Sequence, residues 1–326
     1  MTGKLRIGLL FLVLMVATIA AAVGWSARLF NAPGPLDRAT VVLLPQGLGL
    51  KQVAARLDDA GAISPPLLFV AMVQLSGDAR RLRAGEYLIP EAASMRAIRD
   101  LLKAGETVVH RFTVAEGLTS RQVAELLRAE PALKGEIRSV PAEGSLLPET
   151  YHFSHGDQRN DLLRRMTGAM DETLATLWPQ RAPGVPLAGP WDAVILASIV
   201  ERETARADER GRIAGVFMNR LRRGMRLQSD PTVAYGLNNG EALERPLSRA
   251  DLDRETPYNT YLIGGLPPGP IANPGREALA AVLNPSETDE LYFVADGTGG
   301  HAFAVSHAEH LRNVRKWRRI QAQDRN

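Results

Sequence analysis

Ile195–Thr204 reads ILASIVERET, an apolar run that ends in two carboxylates two residues apart. On a helix, residues three, four and seven apart share a face. Glu203 then stacks on Val200, Ile199 and Leu196, in the middle of the apolar stripe, while Glu201 stacks on Ala197 and Ser198 on another side. The two acids point apart and cannot share a proton unless the helix breaks between them. A carboxylate among branched apolar side chains loses hydration, which disfavours the charged form and raises its pKa. A glutamic acid tuned to about 6–7 can give up a proton and take one back near neutral pH. Cleavage of a sugar linkage needs such an acid, because glycosidic oxygen leaves poorly until protonated. The competing reading ends the helix near Val200 and leaves both acids in water. Glu201 is read as a solvated charge or a hydrogen-bonding neighbour.

Downstream, GRIAGVFMNRLRRG (211–224) is a second helix, apolar at Ile213, Val216, Phe217 and Leu221. LQSDPTVAYG (227–236) reads as irregular. Loops are expected over 178–190 and 256–275, both rich in Pro and Gly. REALAAVLNP (276–285) is a helix stopped by Pro285, and LYFVAD (291–296) and HAFAVS (301–306) form a hairpin across GTGG. The tail from Arg312 is basic and reads as a solvated helix. His301, His307 and His310 lack a standard zinc spacing, so no metal site is assigned, and they read as hairpin and helix residues. No dinucleotide fingerprint, P-loop or nucleophile elbow is present, so no cofactor is expected and nucleotide chemistry is disfavoured.

Upstream, VVLLP (41–45) and AGEYLIP (84–90) read as strands, with helices over 50–61 and 65–77 between them. A further helix spans 94–104, with Ser94 as its cap. Gly47-Leu48, Gln52-Val53-Ala54 and Leu57 recur seventy residues later as Gly117-Leu118, Gln122-Val123-Ala124 and Leu127. We read two related strand–turn–helix units, against two helix starts of merely similar composition. At the N-terminus, Lys4 and Arg6 precede an uncharged run from Ile7 to Ala27. At 1.5 Å per residue it spans a hydrocarbon core of about 30 Å. A cleaved signal peptide is the rival, with Ala20-Ala21-Ala22 as its cutting site. The basic flank places the N-terminus in the cytoplasm.

The 326 residues suffice for two folded units. A net charge of +3 is too slight to argue for nucleic acid and fits weak attraction to an anionic surface. There is no cysteine, hence no disulfide and no thiolate nucleophile.

In order, the anchor, ILASIVERET, VFMNRLRRGMRLQSDPTVAYG (216–236), LSRADL (247–252), PYNTYLIGGLPPGPIANPG (257–275) and LYFVADGTGGHAFAVSHAEH (291–310) resemble the endolytic murein transglycosylase family MltG, also called YceG-like. The resemblance covers most of 190–310 and extends weakly to residue 40. It implies an α+β fold with an N-terminal transmembrane helix, a small LysM-like βααβ subdomain and a larger α+β catalytic domain ending in a β-hairpin. The expected divisions are 1–30 (cytoplasmic stub and anchor), 31–39 (linker), 40–113 (LysM-like subdomain and connecting helix), 114–313 (catalytic domain) and 314–326 (basic tail). The implied substrate is nascent peptidoglycan, cut between N-acetylmuramic acid and N-acetylglucosamine to leave 1,6-anhydro ends. The implied setting is the inner membrane, with the catalytic domain periplasmic and peptidoglycan synthases nearby.

More distant transglycosylases carry an acid followed by Ser, and Glu203-Thr204 lines up with that pair better than Glu201-Arg202 does. The resemblance therefore implies Glu203 as the catalytic acid. It also implies a groove formed by Asn219, Gln228, Asp230, Tyr258, Asn259 and Tyr261. Glu149, in LLPETYHF (146–153), is given a structural or groove-rim role. Two alternatives remain: a hydrolytic muramidase with Asp230 as second carboxylate, and a membrane-tethered glycan-binding scaffold.

Overall fold

A computed structural model describes residues 2–241, 243 and 245–323, with side chains from Ile7 onward. The flank residues Lys4 and Arg6 and the last three residues of the basic tail lie outside the described side chains. The chain divides into two compact units, Met1–His110 with His152–Gly156, and Arg111–Tyr151 with Asp157–Asn326.

The first unit begins with α1 (Thr2–Asn31), whose segment Ile7–Asn31 is long and apolar enough to cross a membrane. A βααβ arrangement follows: β1 (Thr40–Leu44), α2 (Leu50–Asp59), α3 (Pro66–Leu75) and β2 (Gly85–Ile89). The strands pair antiparallel, from Thr40 opposite Ile89 to Leu44 opposite Gly85. Alternation sends Val42, Leu44, Tyr87 and Ile89 into the core and leaves Val41, Leu43 and Leu88 outside. The core is completed by Leu57, Phe69 and Val73, and by Ile98 and Leu102 of α4 (Met95–Ala104). Ser94 caps α4 by accepting from the Ala97 N–H at 3.1 Å. The end of α1 belongs to this core: Phe30 is buried 6.4 Å from the Phe69 ring, and Arg96 donates to Asn31 at 3.2 Å.

The strands β3 (Val109–Thr113) and β4 (Thr150–Ser154) form a two-stranded sheet, and α5 (Ser120–Ala129) belongs to the second unit. The internal echo has a structural basis. Gly47 and Gly117 both turn with positive φ, and Gln52 and Gln122 reach back to the backbone N–H of Gly49 and Thr119. The buried faces match: Val53, Ala54 and Leu57 in α2, Val123, Ala124 and Leu127 in α5. None of the sequence patterns above signals α6 (Arg159–Leu177). The loop over 178–190 opens with a single 3-10 turn at Trp178–Gln180.

The centre of this unit is α7 (Pro190–Glu203), packed on α8 (Ala207–Arg222) and α11 (Arg276–Leu283). Pro190 starts α7, and Asp192 accepts from the Ala188 N–H at 2.8 Å. Ala193 through Val200 are all buried, so the helix runs through the core rather than along it. Ser198 is tolerated there because its hydroxyl donates to Ile195 O at 2.7 Å and accepts from the Ile271 N–H at 3.0 Å. The helix continues beyond Val200 and stops where Thr204 turns extended. Gly215 of α8 lets another segment approach closely, since a Cβ there would lie 2.6 Å from Ser286 O.

Two expectations are corrected. Within 227–236, read as irregular, Asp230–Asn238 forms a helix, α9, with Pro231 in its first turn. Its nine residues are too short for a periodic apolar signal, and only Thr232 and Val233 are buried. The basic tail is helical from His307, as α12 (His307–Gln323), and it is not wholly solvated, because it lines the cleft described next. Between these lie a short helix, α10 (Arg249–Leu252), and the hairpin β5 (Tyr292–Ala295) with β6 (His301–Ala304), Tyr292 opposite Ala304.

Candidate active site

The last turn of α7 separates the two acids. Glu201 has a side chain only 4% exposed, held by Arg210 at 3.3 Å and by the Gly275 N–H at 2.9 Å. Arg210 also binds Glu277 at 2.6 Å and Glu116 at 3.0 Å. Three carboxylates thus surround one buried guanidinium, and Glu201 acts as a brace between α7, α8 and the start of α11. Burial raises the Glu201 pKa, and the Gly275 N–H and Arg210 pull it back.

Glu203 lies on the other side and faces a cleft of about 550 Å³. Its Oε1 accepts a 2.5 Å hydrogen bond from the Ser229 hydroxyl. Burial pushes the Glu203 pKa up to about 7; the Ser229 hydroxyl opposes this, nearby Asp230 adds to it, and Arg220 lowers it. The helix C-terminus, with its partial negative charge, acts in the same direction as burial.

The segment that carries Ser229 is rigidly held. Gln228 occupies the left-handed region at φ 52°, a conformation rare for a residue with a side chain. Its N–H donates to Thr260 O at 3.1 Å, and the Ser229 N–H donates to the Thr260 hydroxyl at 2.9 Å. Arg220, buried in the cleft floor, donates to Leu227 O and to Leu291 O, each at 2.6 Å. Ser229 precedes the first turn of α9 but does not cap it, because its hydroxyl is spent on Glu203.

Of the residues named from sequence, Gln228, Asp230 and Tyr261 line the cleft with Glu203. The Tyr261 hydroxyl donates to Asp230 Oδ1 at 2.6 Å, and burial together with that carboxylate pushes the phenol pKa up. The others lie elsewhere. Asn219 donates to Thr288 O at 2.6 Å and Glu290 O at 3.1 Å and borders a different pocket. Asn259 is buried, donating to Leu252 O and Arg254 O while its Oδ1 accepts from the Tyr261 N–H, so it shapes the loop that presents Tyr261. Tyr258 packs against Tyr235 at 4.8 Å and against the core. Glu149 is exposed just before β4.

Ser229, Arg220 and the three histidines were not singled out as site residues by the sequence reading. Arg220 had a signal: it falls seven residues after Ile213 and three after Phe217, a charge on a buried stripe. His301, His307 and His310 converge on the cleft with Tyr292 and Trp317, brought together by the hairpin and α12. Among the described residues no cluster of three His, Asp or Glu side chains is arranged to hold a metal.

Comparison with known proteins bears on this arrangement. A sequence model described as the YceG-like family matches residues 42–316. The endolytic murein transglycosylase of Bacillus subtilis is 31% identical over 309 residues, covering 84% of this chain and 83% of that protein. The endolytic murein transglycosylase of Streptococcus pneumoniae D39 is 29% identical over 331 residues, covering 86% of this chain. This chain spans 59% of the length of that longer relative. A crystal structure of a yceG-like protein from Listeria monocytogenes superposes with a TM-score of 0.54 at 28% identity, covering 84% of this chain and 98% of the other.

Proposed function

Because the chain belongs to the YceG-like family of endolytic murein transglycosylases, we propose that it cuts nascent peptidoglycan strands at the β-1,4 bond between N-acetylmuramic acid and N-acetylglucosamine. Membership supports a lytic-transglycosylase type of function on peptidoglycan; the residue-level mechanism is our reading of the cleft. The observation that carries it is a single glutamic acid, Glu203, held at the end of a buried helix, facing a cleft, with a pKa near 7.

Protonated Glu203 donates to the glycosidic oxygen as its bond to the muramyl anomeric carbon breaks. The muramyl 6-hydroxyl attacks that carbon, and its proton passes to the Glu203 carboxylate. The acid is restored, no water is consumed, and the products are a free 4-hydroxyl and a 1,6-anhydro end. An intramolecular nucleophile gains from proximity and needs no second carboxylate. Asp230, fixed by Tyr261, supplies negative charge toward the positive sugar ring of the transition state. Gln228 and Tyr261 contact the sugar.

Around this chemistry we place the rest of the chain. The α1 segment anchors it in the inner membrane, Lys4 and Arg6 keep the N-terminus cytoplasmic, and the catalytic unit works in the periplasm beside the synthases. The βααβ arrangement of the first unit supports a LysM-like, glycan-holding role.

The test uses the full-length chain in detergent on uncrosslinked glycan strands, with the new ends identified by mass spectrometry. Anhydro ends support the proposal, reducing ends would make the protein a hydrolase working through Asp230, and intact strands would make it a binder. Glu203→Gln is expected to lose cleavage by about 10²–10⁴-fold while remaining folded. Glu201→Gln is expected to keep cutting at reduced stability. Normal turnover by Glu203→Gln would remove Glu203 from the role.

A further inference from the structure

We infer that His301, oriented by Glu209, is a substrate-contacting residue of this cleft, presenting its Nε2 to a hydroxyl or acetamido group of the glycan. The inference rests on the glycan-cleaving reading above and adds a residue that neither the family resemblance nor the acid mechanism assigns.

Glu209 lies in the first turn of α8 with a side chain 13% exposed. One of its oxygens accepts from the His301 N–H at 3.0 Å, and the other lies 2.7 Å from His301 Nδ1. The carboxylate therefore grips both the backbone and the ring of one residue. Gly300 lets this carboxylate come close, since a Cβ there would lie 2.6 Å from Glu209 Oε1 and the side chain would have to shift. The ring is also fixed on its sides, edge-on to Phe293 at 5.3 Å and close to Phe303 at 6.3 Å. With Nδ1 committed to a carboxylate, Nε2 is the ring's remaining polar atom, and it has no hydrogen-bond partner among the described residues. His301 is 15% exposed and lines the cleft that holds Glu203. An imidazole that lines a cleft, with one nitrogen locked by a carboxylate and the other unpaired among the described residues, is pre-oriented for a ligand. A purely structural clamp between hairpin and helix would not need to open onto the cleft.

The same lining holds a second unpartnered atom, the buried Nδ1 of His310, whose ring stacks on Tyr292 at 5.2 Å. An imidazole with one unpaired nitrogen, in a lining shared with the rings of Tyr292, Phe293 and Trp317, matches a polyhydroxylated, amide-bearing sugar, which offers both apolar faces and polar edges.

Two substitutions separate contact from clamp. Asn can place its amide nitrogen where Nδ1 stands but cannot reach the Nε2 position; Gln reaches the Nε2 position. With the full-length chain in detergent, His301→Asn is expected to raise KM for uncrosslinked glycan about tenfold, with kcat within about twofold and an unchanged melting temperature. His301→Gln is expected to recover most of that KM. The inference is overturned if Asn leaves KM as in the parent while Gln raises it, which is the pattern of a clamp alone. It is also overturned if either variant lowers kcat at constant KM, which would make the ring an acid or base. If the parent chain itself leaves glycan uncut, the functional reading falls first; if it cuts and both variants match it, only this inference falls.

Discussion

Among single residues, one hydrogen bond and one desolvated acid decide the chemistry of the cleft. Ser229 donates to Glu203, and that bond favours the charged form against the effect of burial. Removing the hydroxyl in Ser229→Ala is therefore expected to raise the Glu203 pKa further. The alkaline limb of the cleavage rate, which falls as pH rises through about 7 because the protonated acid does the work, should move upward in that variant. The raised pKa also has a stability consequence. The folded state holds the Glu203 proton more tightly than the unfolded one, so its contribution is fully present below the ordinary glutamate value and lost as pH rises through 7. Glu203→Gln, which cannot ionise, should be more stable than the parent at pH 8 by about 1–3 kcal/mol, measured by chemical denaturation at pH 5 and pH 8. Near pH 5 the two should differ little. Arg220 behaves oppositely: Arg220→Ala leaves the carbonyls of Leu227 and Leu291 unpaired in a buried place and should cost about 2–4 kcal/mol at either pH.

At the scale of the element, α7 explains both what the sequence made legible and what it hid. Eight consecutive buried residues and an opening Asp-bearing turn made the helix readable, and its 3.6-residue period was enough to send Glu201 and Glu203 to different sides. The partners of Glu203 were not readable the same way. Ser229 and Arg220 come from 26 and 17 residues further along, and the approach of Ser229 depends on the left-handed turn at Gln228 and the Thr260 tether. The cleft lining from the hairpin and α12 arises from tertiary packing, so its histidines read only as ordinary hairpin and helix residues. Asn219 and Asn259 show the reverse case: amides that look like sugar ligands serve backbone carbonyls instead. The packing of α8 is testable in the same terms. Gly215→Val must displace the backbone at Ser286 and should cost about 1–3 kcal/mol, read from the denaturation midpoint.

At the scale of the whole molecule, each unit has its own core, and the membrane segment is continuous with the first. Phe30, at the end of α1, is 2% exposed within the βααβ core. A soluble chain that begins at Arg28 should therefore melt higher than one that begins at Ala32, with a difference of about 2–4 kcal/mol in the stability of the first unit. The second unit gathers α7, α8, the 226–230 turn, the hairpin and α12 around one cleft, and the account needs the acid in that cleft to carry a proton near neutral pH. The most direct measurement is a ¹³C NMR titration of the glutamate carboxyl carbons, comparing the full-length chain with Glu203→Gln to identify the signal. A carboxyl with a midpoint near 7 that vanishes in the variant is the predicted result; a Glu203 midpoint near 4.5, the value of an ordinary hydrated glutamate, would contradict it.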